Sequence, residues 1–484
     1  ILEDASFRPV NHQPSQTTMK TLLKRFWVSC LVAACLAAPS VRAEIAEWLP
    51  LDPDMPMNAN PAKNMGHPNL VTMPSLVGAD KLYAAWVENG GPSNALQVRV
   101  AVYQDATPAW KQIDSRVNNI SRSPGLGINF DTTATAYTPR LVVHGGDLYA
   151  TWYEYVQAKG GRLIGKIRVC RYNGTDENPN WTFVDGNTSG GLNFNSTQDA
   201  IMPNAVSFGG RLVVFWSEAV SSTRTVSGTQ LRARAYTIGT GWTWLDGGTA
   251  AGLNIDPKLG AYSGCPVVVN VQGQPSKLYV SFRQLSSTGV AQLRVKVYQG
   301  GYLWKVVDGG LGLNLDLTKG AAGQNAGGDG NAIYCAWTEY NAAGVRQLRM
   351  ARYNGFNDNA PVWERLDSGY PMQGLNYNPA VDVYSVGVQS FNGKIYLHWN
   401  EGTLRVAVWD KNLTAPNQWG WADGGAARSN AHRYENSTTN LACLGVYRDH
   451  LLVFHNESVP SSLDPRYPTV GLGHVLVGIE APTP

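Results

Sequence analysis

"WTWLDGG", Trp242–Gly248, sets a tryptophan four residues ahead of an aspartate and closes on paired glycines. The Trp-x-x-x-Asp spacing returns at Trp48/Asp52, Trp110/Asp114, Trp181/Asp185, Trp304/Asp308, Trp363/Asp367 and Trp419/Asp423. The copies lie about 62 residues apart on average. A fixed period of this length is the mark of a repeat architecture and takes precedence over local propensity.

Two further patterns fill the interval. One is an apolar run ending in Trp-x-Glu: "LYAAWVE" (Leu82–Glu88), "LYATWYE" (Leu148–Glu154), "LVVFWSE" (Leu212–Glu218), "LYVSFRQ" (Leu278–Gln284), "IYCAWTE" (Ile333–Glu339), "IYLHWNE" (Ile395–Glu401) and "LLVFHNE" (Leu451–Glu457). The other follows it, as in "VRVAVY" (Val98–Tyr103) or "LRVKVY" (Leu293–Tyr298). Both alternate with period two and are rich in β-formers, so both read as strands. A shorter apolar run precedes each pair. Each repeat therefore holds four strands, A to D, with no helical stretch. That is the pattern of a β-propeller blade, and seven repeats predict an all-β, seven-bladed propeller.

The seventh repeat has runs for A (Leu441–Val446), B (Leu451–Glu457) and C (His474–Ile479), and no D strand follows before Pro484. The orphan copy at the other end, "IAEWLPLD" (Ile45–Asp52), is a D strand without its own blade. The N-terminal strand is thus expected to complete the C-terminal blade, which removes two exposed sheet edges. The chain resembles bacterial secreted propeller proteins built from "LYxAWxE…RVxxY…WxxxDGG…GLNxN" units, over roughly Ile45 to Glu480. The resemblance implies a lectin-like or sialidase-like architecture and no specific enzyme family, because propellers host many activities.

The first 43 residues read as something else. Residues 1–18 lie upstream of Met19. Residues 19–43 read as a secretory signal, with Lys20, Lys24 and Arg25 before the apolar run Phe26–Ala38 and a small-residue cleavage site at Val41-Arg42-Ala43. Residues 44–484 form the propeller domain. A second reading takes Val32–Cys35 as a lipobox and Cys35 as a lipid anchor, giving an outer-membrane lipoprotein rather than a secreted or periplasmic chain. No later run is long and apolar enough for a membrane-spanning helix. Without residues 1–43 the chain carries 34 basic and 34 acidic residues. That balance disfavours nucleic acid as a partner. Cys170, Cys265, Cys335 and Cys443 show no metal or redox spacing and read as buried free thiols.

Candidate functional residues come from three places. Twelve of the fifteen remaining tryptophans fall on the B or D ladders, where packing explains them; Trp244, Trp409 and Trp421 do not, and are expected to present exposed rings. The loops from strand D to the next strand A carry Gly-Leu-Asn-x-Asn/Asp: Asn129/Asp131, Asn193/Asn195, Asn254/Asp256, Asn314/Asp316 and Asn376/Asn378. Their length marks a binding face shared with the B–C loops, against the plainer reading that they close their own turns. Glu and Arg flank each B–C turn, as Glu88/Arg99, Glu154/Arg168, Glu218/Arg232, Glu339/Arg349 and Glu401/Arg405, and are expected to form structural ion pairs of about 0.2–1 kcal/mol each. The last blade departs, with His455 and His474 at ladder positions.

No catalytic motif or metal triad appears, and no cofactor is expected; calcium is the one ion the loops could admit, though each offers one carboxylate or none. The expected function is a secreted, non-enzymatic propeller binding a carbohydrate or a cell-surface protein on its D–A/B–C loop face. The alternatives are a carbohydrate-active hydrolase with an acidic pair at the central mouth, and a structural or adhesive subunit of a surface assembly.

Overall fold

The computed structural model describes residues 45–480 of the 484-residue chain, apart from 52–55, 76–77, 107, 159, 221–227, 271–272, 356, 369–373, 416, 427–428, 434–437 and 459–470. The upstream segment, the expected signal and Cys35 lie outside the described residues.

Seven antiparallel sheets follow one another along the chain. Blade 1 is Met65–Met73, Lys81–Asn89, Leu96–Tyr103 and Trp110–Gln112, which are its strands A to D. The A strands of blades 2 to 7 are Thr135–His144, Ala200–Phe208, Ala261–Val269, Ala321–Gly328, Tyr384–Phe391 and Thr438–Tyr447. Each A strand packs against the A strands of its two neighbours, and that of blade 1 packs against that of blade 7, so the sheets close into a ring around their A strands. The seven-bladed propeller read from the repeat is the fold.

Closure follows the expected route. Ile45–Pro50 pairs antiparallel with Gly471–Glu480, Trp48 opposite Gly478 and Pro50 opposite Leu476, as strand D of blade 7. Blade 2 carries an addition: the hairpin Arg116–Val117/Ile120–Ser121, from the loop leaving blade 1, lies along its D strand through Val117 and Trp181.

The two tryptophan ladders hold the ring by different means. Trp86, Trp152, Trp216, Trp337 and Trp399 are fully buried on the B strands, each burial worth roughly 2–3 kcal/mol. Six of the seven D-strand indoles, all but Trp110, instead donate across the blade boundary to the residue before the preceding blade's aspartate. The bonds are Trp181 to Ile113 O (2.8 Å), Trp242 to Val184 O (2.6 Å), Trp304 to Leu245 O (2.9 Å), Trp363 to Val307 O (2.6 Å), Trp419 to Leu366 O (2.8 Å) and Trp48 to Ala422 O (2.8 Å). A buried indole N–H needs an acceptor, and the neighbour's backbone supplies it.

Candidate functional site in the central channel

The repeated polar residues prove to be a bracing system. The Asn129 carbonyl accepts from Val98 N (2.8 Å), and its amide donates to Leu96 O (3.0 Å) and Ala134 O (2.9 Å). Asn193, Asn254, Asn314 and Asn376 repeat the arrangement on the C strands before them. Asp131, Asn195, Asp256, Asp316 and Asn378 accept from the backbone N–H two residues on and close their own turns. Both loop positions, expected to face a ligand, are thus engaged internally.

The same loops cap the next blade. Phe130 N and Asp131 N donate to Glu154 (2.6 and 3.2 Å), and Leu315 N and Asp316 N to Glu339 (2.9 and 2.8 Å). Glu88, Glu218 and Glu401 are capped alike, and each B-strand tryptophan donates to the glutamate two residues later. The glutamates are therefore not the arginines' main partners, which corrects the expected pairing. The arginines turn to the D-strand aspartates: Arg99–Asp114 2.5 Å, Arg232–Asp246 3.0 Å, Arg294–Asp308 2.6 Å, Arg349–Asp367 3.3 Å and Arg405–Asp423 2.8 Å. Arg168 alone stands equally near both, 3.6 Å from Glu154 and from Asp185. Both neighbouring strands flank the arginine, but the glutamate is taken by the next loop's N–H groups and its own tryptophan, whereas the aspartate just past strand D is open to the arginine and also caps a C-strand N–H, as Asp308 does for Val295 (3.0 Å).

Trp409 is buried at 1 % exposure, tilted against Tyr334, so the expectation of an exposed ring fails there. Trp244 and Trp421 are half-buried, with the Arg232 and Arg405 guanidinium groups over their rings. A cavity of about 240 Å³ on the loop face is lined by Phe194, Gln198, Glu218, Gln230 and Arg232 among others, of which Glu218 and Arg232 belong to the bracing system.

What remains is the channel. Every A strand carries a register break near its start: Gly66/Asn69, Tyr137/Arg140, Ile201/Asn204, Tyr262/Cys265, Ala322/Asn325, Tyr384/Gly387 and Thr439/Ala442. In six blades the bulged residue sits at positive φ: His67 (52°), Thr138 (47°), Met202 (55°), Ser263 (61°), Gly323 (50°) and Ser385 (54°). Five of these are not glycine, and such strain clusters where a site is built. The bulges surround a chamber of about 410 Å³, the size range of small-molecule sites. It lies at the end of the A strands that the D–A loops enter.

The lining mixes apolar groups, such as Met202, Val386 and Leu441, with polar ones and contains no described acid. Arg140, on the bulge of blade 2, is its cation; among the described residues its guanidinium has no hydrogen bond or ion pair. Its charge reaches across the channel. Burial, then Arg140, holds His67 and His398 down at about 4, so both rings are neutral at pH 7. Burial likewise pushes the Cys265 and Cys443 thiols up, with Arg140 opposing. Both thiols are free, as expected, but half-buried rather than buried, unlike Cys170 and Cys335. His398 comes from the B strand of blade 6 and reaches the chamber because Gly387, opposite it, has no side chain: a Cβ there would overlap the imidazole. His398 is 4 % exposed and its Nδ1 has no partner. Asn204, Gln324, Asn325 and Ser263 complete the polar wall.

Sequence reasoning missed Arg140 and His398. The signal was available in the repeat: the position of Arg140 holds Asn69, Asn204, Cys265, Asn325 and Gly387 elsewhere, a variable site inside a near-uniform strand.

No protein family matches the chain, and no curated protein does. Solved structures do. The polysaccharide lyase Uly1 aligns over 82 % of this chain and 88 % of its own, at 10 % identity and a TM-score of 0.50. An α-L-arabinanase of Penicillium chrysogenum covers 77 % of this chain and 99 % of its own, at 12 % identity and 0.41. A Trypanosoma rangeli sialidase bound to the inhibitor DANA covers 91 % and 58 %, at 8 % identity and 0.42. At these identities the likeness is one of fold.

Proposed function

We propose that this chain is a saccharide-binding propeller that takes an anionic sugar unit, a uronate or a similar carboxylate-bearing residue, in the channel chamber. The observation that carries the reading is Arg140: a guanidinium without a counter-charge in a chamber whose described lining has no carboxylate. A guanidinium so placed supports a planar anion bound through two hydrogen bonds. The neutral His67 and His398 rings each offer a donor and an acceptor, and the amides and hydroxyls around them suit sugar hydroxyl groups. The ligand class also agrees with Uly1, which acts on a polysaccharide, although only the fold is shared. The acidic pair a glycosidase uses is not among the described lining residues, which favours binding over glycoside hydrolysis. Export from the cytoplasm belongs to the same proposal; no described helix is long and apolar enough to cross a membrane.

The test is calorimetric titration of the 44–484 chain with uronate oligosaccharides and with their neutral counterparts, with product analysis of each mixture. The acidic series should bind and the neutral series should not. Arg140→Gln should weaken binding by about 10- to 100-fold, the worth of a charge-assisted contact. Equal affinity for both series, or an unchanged Arg140→Gln, overturns the proposal.

A further inference from the structure

Beside the chamber, over blades 4 and 5, lies a second cationic group that the bracing system does not use. Arg283 stands at the x of Trp-x-Glu, where the other blades have Val87, Tyr153, Ser217, Thr338, Asn400 and Asn456. Its Nη2 donates to the Oγ of Ser263 (3.0 Å), a chamber residue, and its guanidinium lies 4.3 Å over the Tyr262 ring. Its Nε is buried without a partner. Arg346 opens the C strand of blade 5, where blades 1 to 4 have Leu96, Gly165, Thr229 and Ala291. Its guanidinium lies between Tyr340 (5.1 Å) and Tyr384 (4.8 Å), with Nε donating to the Tyr340 hydroxyl (2.8 Å).

The two arginines feel each other's charge, and Arg283 and Arg140 both act on Cys265. The acid nearby is Asp382. Its Oδ1 accepts from the Arg346 backbone N–H (2.7 Å) and its Oδ2 from the Tyr384 hydroxyl (2.9 Å). Asp382 thus answers Arg346, and the charged neighbour of Arg283 is Arg346 rather than an acid. Like charges brought together without bridging acid cost free energy unless an anion joins them, and neither arginine is required by the repeat.

We propose that Arg283 and Arg346, framed by Tyr262, Tyr340 and Tyr384, form a second anion subsite on the rim, so that the ligand is a polyanionic saccharide running from the chamber across blades 4 and 5. The proposal rests on the chamber reading and adds polymer length to it. Tyrosine faces flanking the guanidinium groups suit pyranose rings, and the cations take a charged unit further along the polymer than a disaccharide held in the chamber reaches.

The experiment compares a uronate disaccharide with a hexasaccharide of the same sugar, at low and moderate salt, on wild type, Arg140→Gln, Arg283→Gln, Arg346→Gln and the Arg283→Gln/Arg346→Gln double variant, each confirmed folded by thermal melting. The wild type should bind the hexamer at least about 10-fold more tightly, with a steeper salt dependence. The double variant should lose that gain and keep its disaccharide affinity, and Arg283→Lys should retain part of it. A length gain that survives the double variant overturns the rim subsite. Disaccharide affinity untouched by Arg140→Gln overturns the chamber reading, and the two failures appear on separate titration curves.

Discussion

At the residue scale the structure re-weighs charges that look alike in sequence. The Arg294–Asp308 pair has an aspartate side chain at 0 % exposure, whereas Arg352–Glu364 has a glutamate at 57 %. Removing one partner of a buried pair leaves an uncompensated charge and costs about 3–5 kcal/mol, while an exposed pair is worth about 0–1 kcal/mol. Asp308→Ala should therefore destabilise the protein several-fold more than Glu364→Ala in urea unfolding. His398 gives a prediction in pH. Its folded value is lowered from 6.5 to about 4 by burial and by Arg140. Below 6.5 the unfolded chain takes up a proton that the folded one refuses. Its contribution is thus whole above 6.5 and lost as pH falls towards 4. The stability difference between wild type and His398→Gln should shift against the wild type by about 2 kcal/mol between pH 7 and 5. A pH-independent difference would show that the ring is not held neutral.

At the element scale the unit of stability is the D–A loop, not the strand. Asn193 ties the loop back to Ile167 and Gly165 on one blade, while Phe194 and Asn195 cap Glu218 on the next. Asn193→Ala strands the Ile167 N–H and the Gly165 and Gln198 carbonyls, and should cost about 2–3 kcal/mol without altering the strand content seen by circular dichroism. The strands were legible because Trp-x-Glu and Trp-x-x-x-Asp recur with a strict period, and "IAEWLPLD" could only belong to a blade lacking its outer strand. The loop asparagines were legible as a pattern but not as a role, since an asparagine that braces and one that binds a sugar are the same letters. The chamber was hidden for a different reason. The bulges at Thr138 and Ser263 depend on positive φ, which no period-two pattern records, and Arg140 and His398 meet only after blades distant in sequence have closed around one axis.

At the scale of the whole molecule, the ring is completed by Ile45–Pro50 lying on Gly471–Glu480. Removing residues 44–50 uncovers the edge of Gly471–Glu480 and withdraws the Trp48 bond to Ala422. The truncated chain should melt at a lower temperature and associate through the bared edge; a monomer with unchanged melting would contradict the closure. The order in which a chain is made gives this seam a further consequence. The strand that finishes the last blade leaves the ribosome first, and its partner leaves more than 400 residues later. At roughly 5–20 residues per second that is a wait of about 20 to 85 seconds. Blades can assemble one after another meanwhile, but the first strand made has nowhere to pair until the last has appeared.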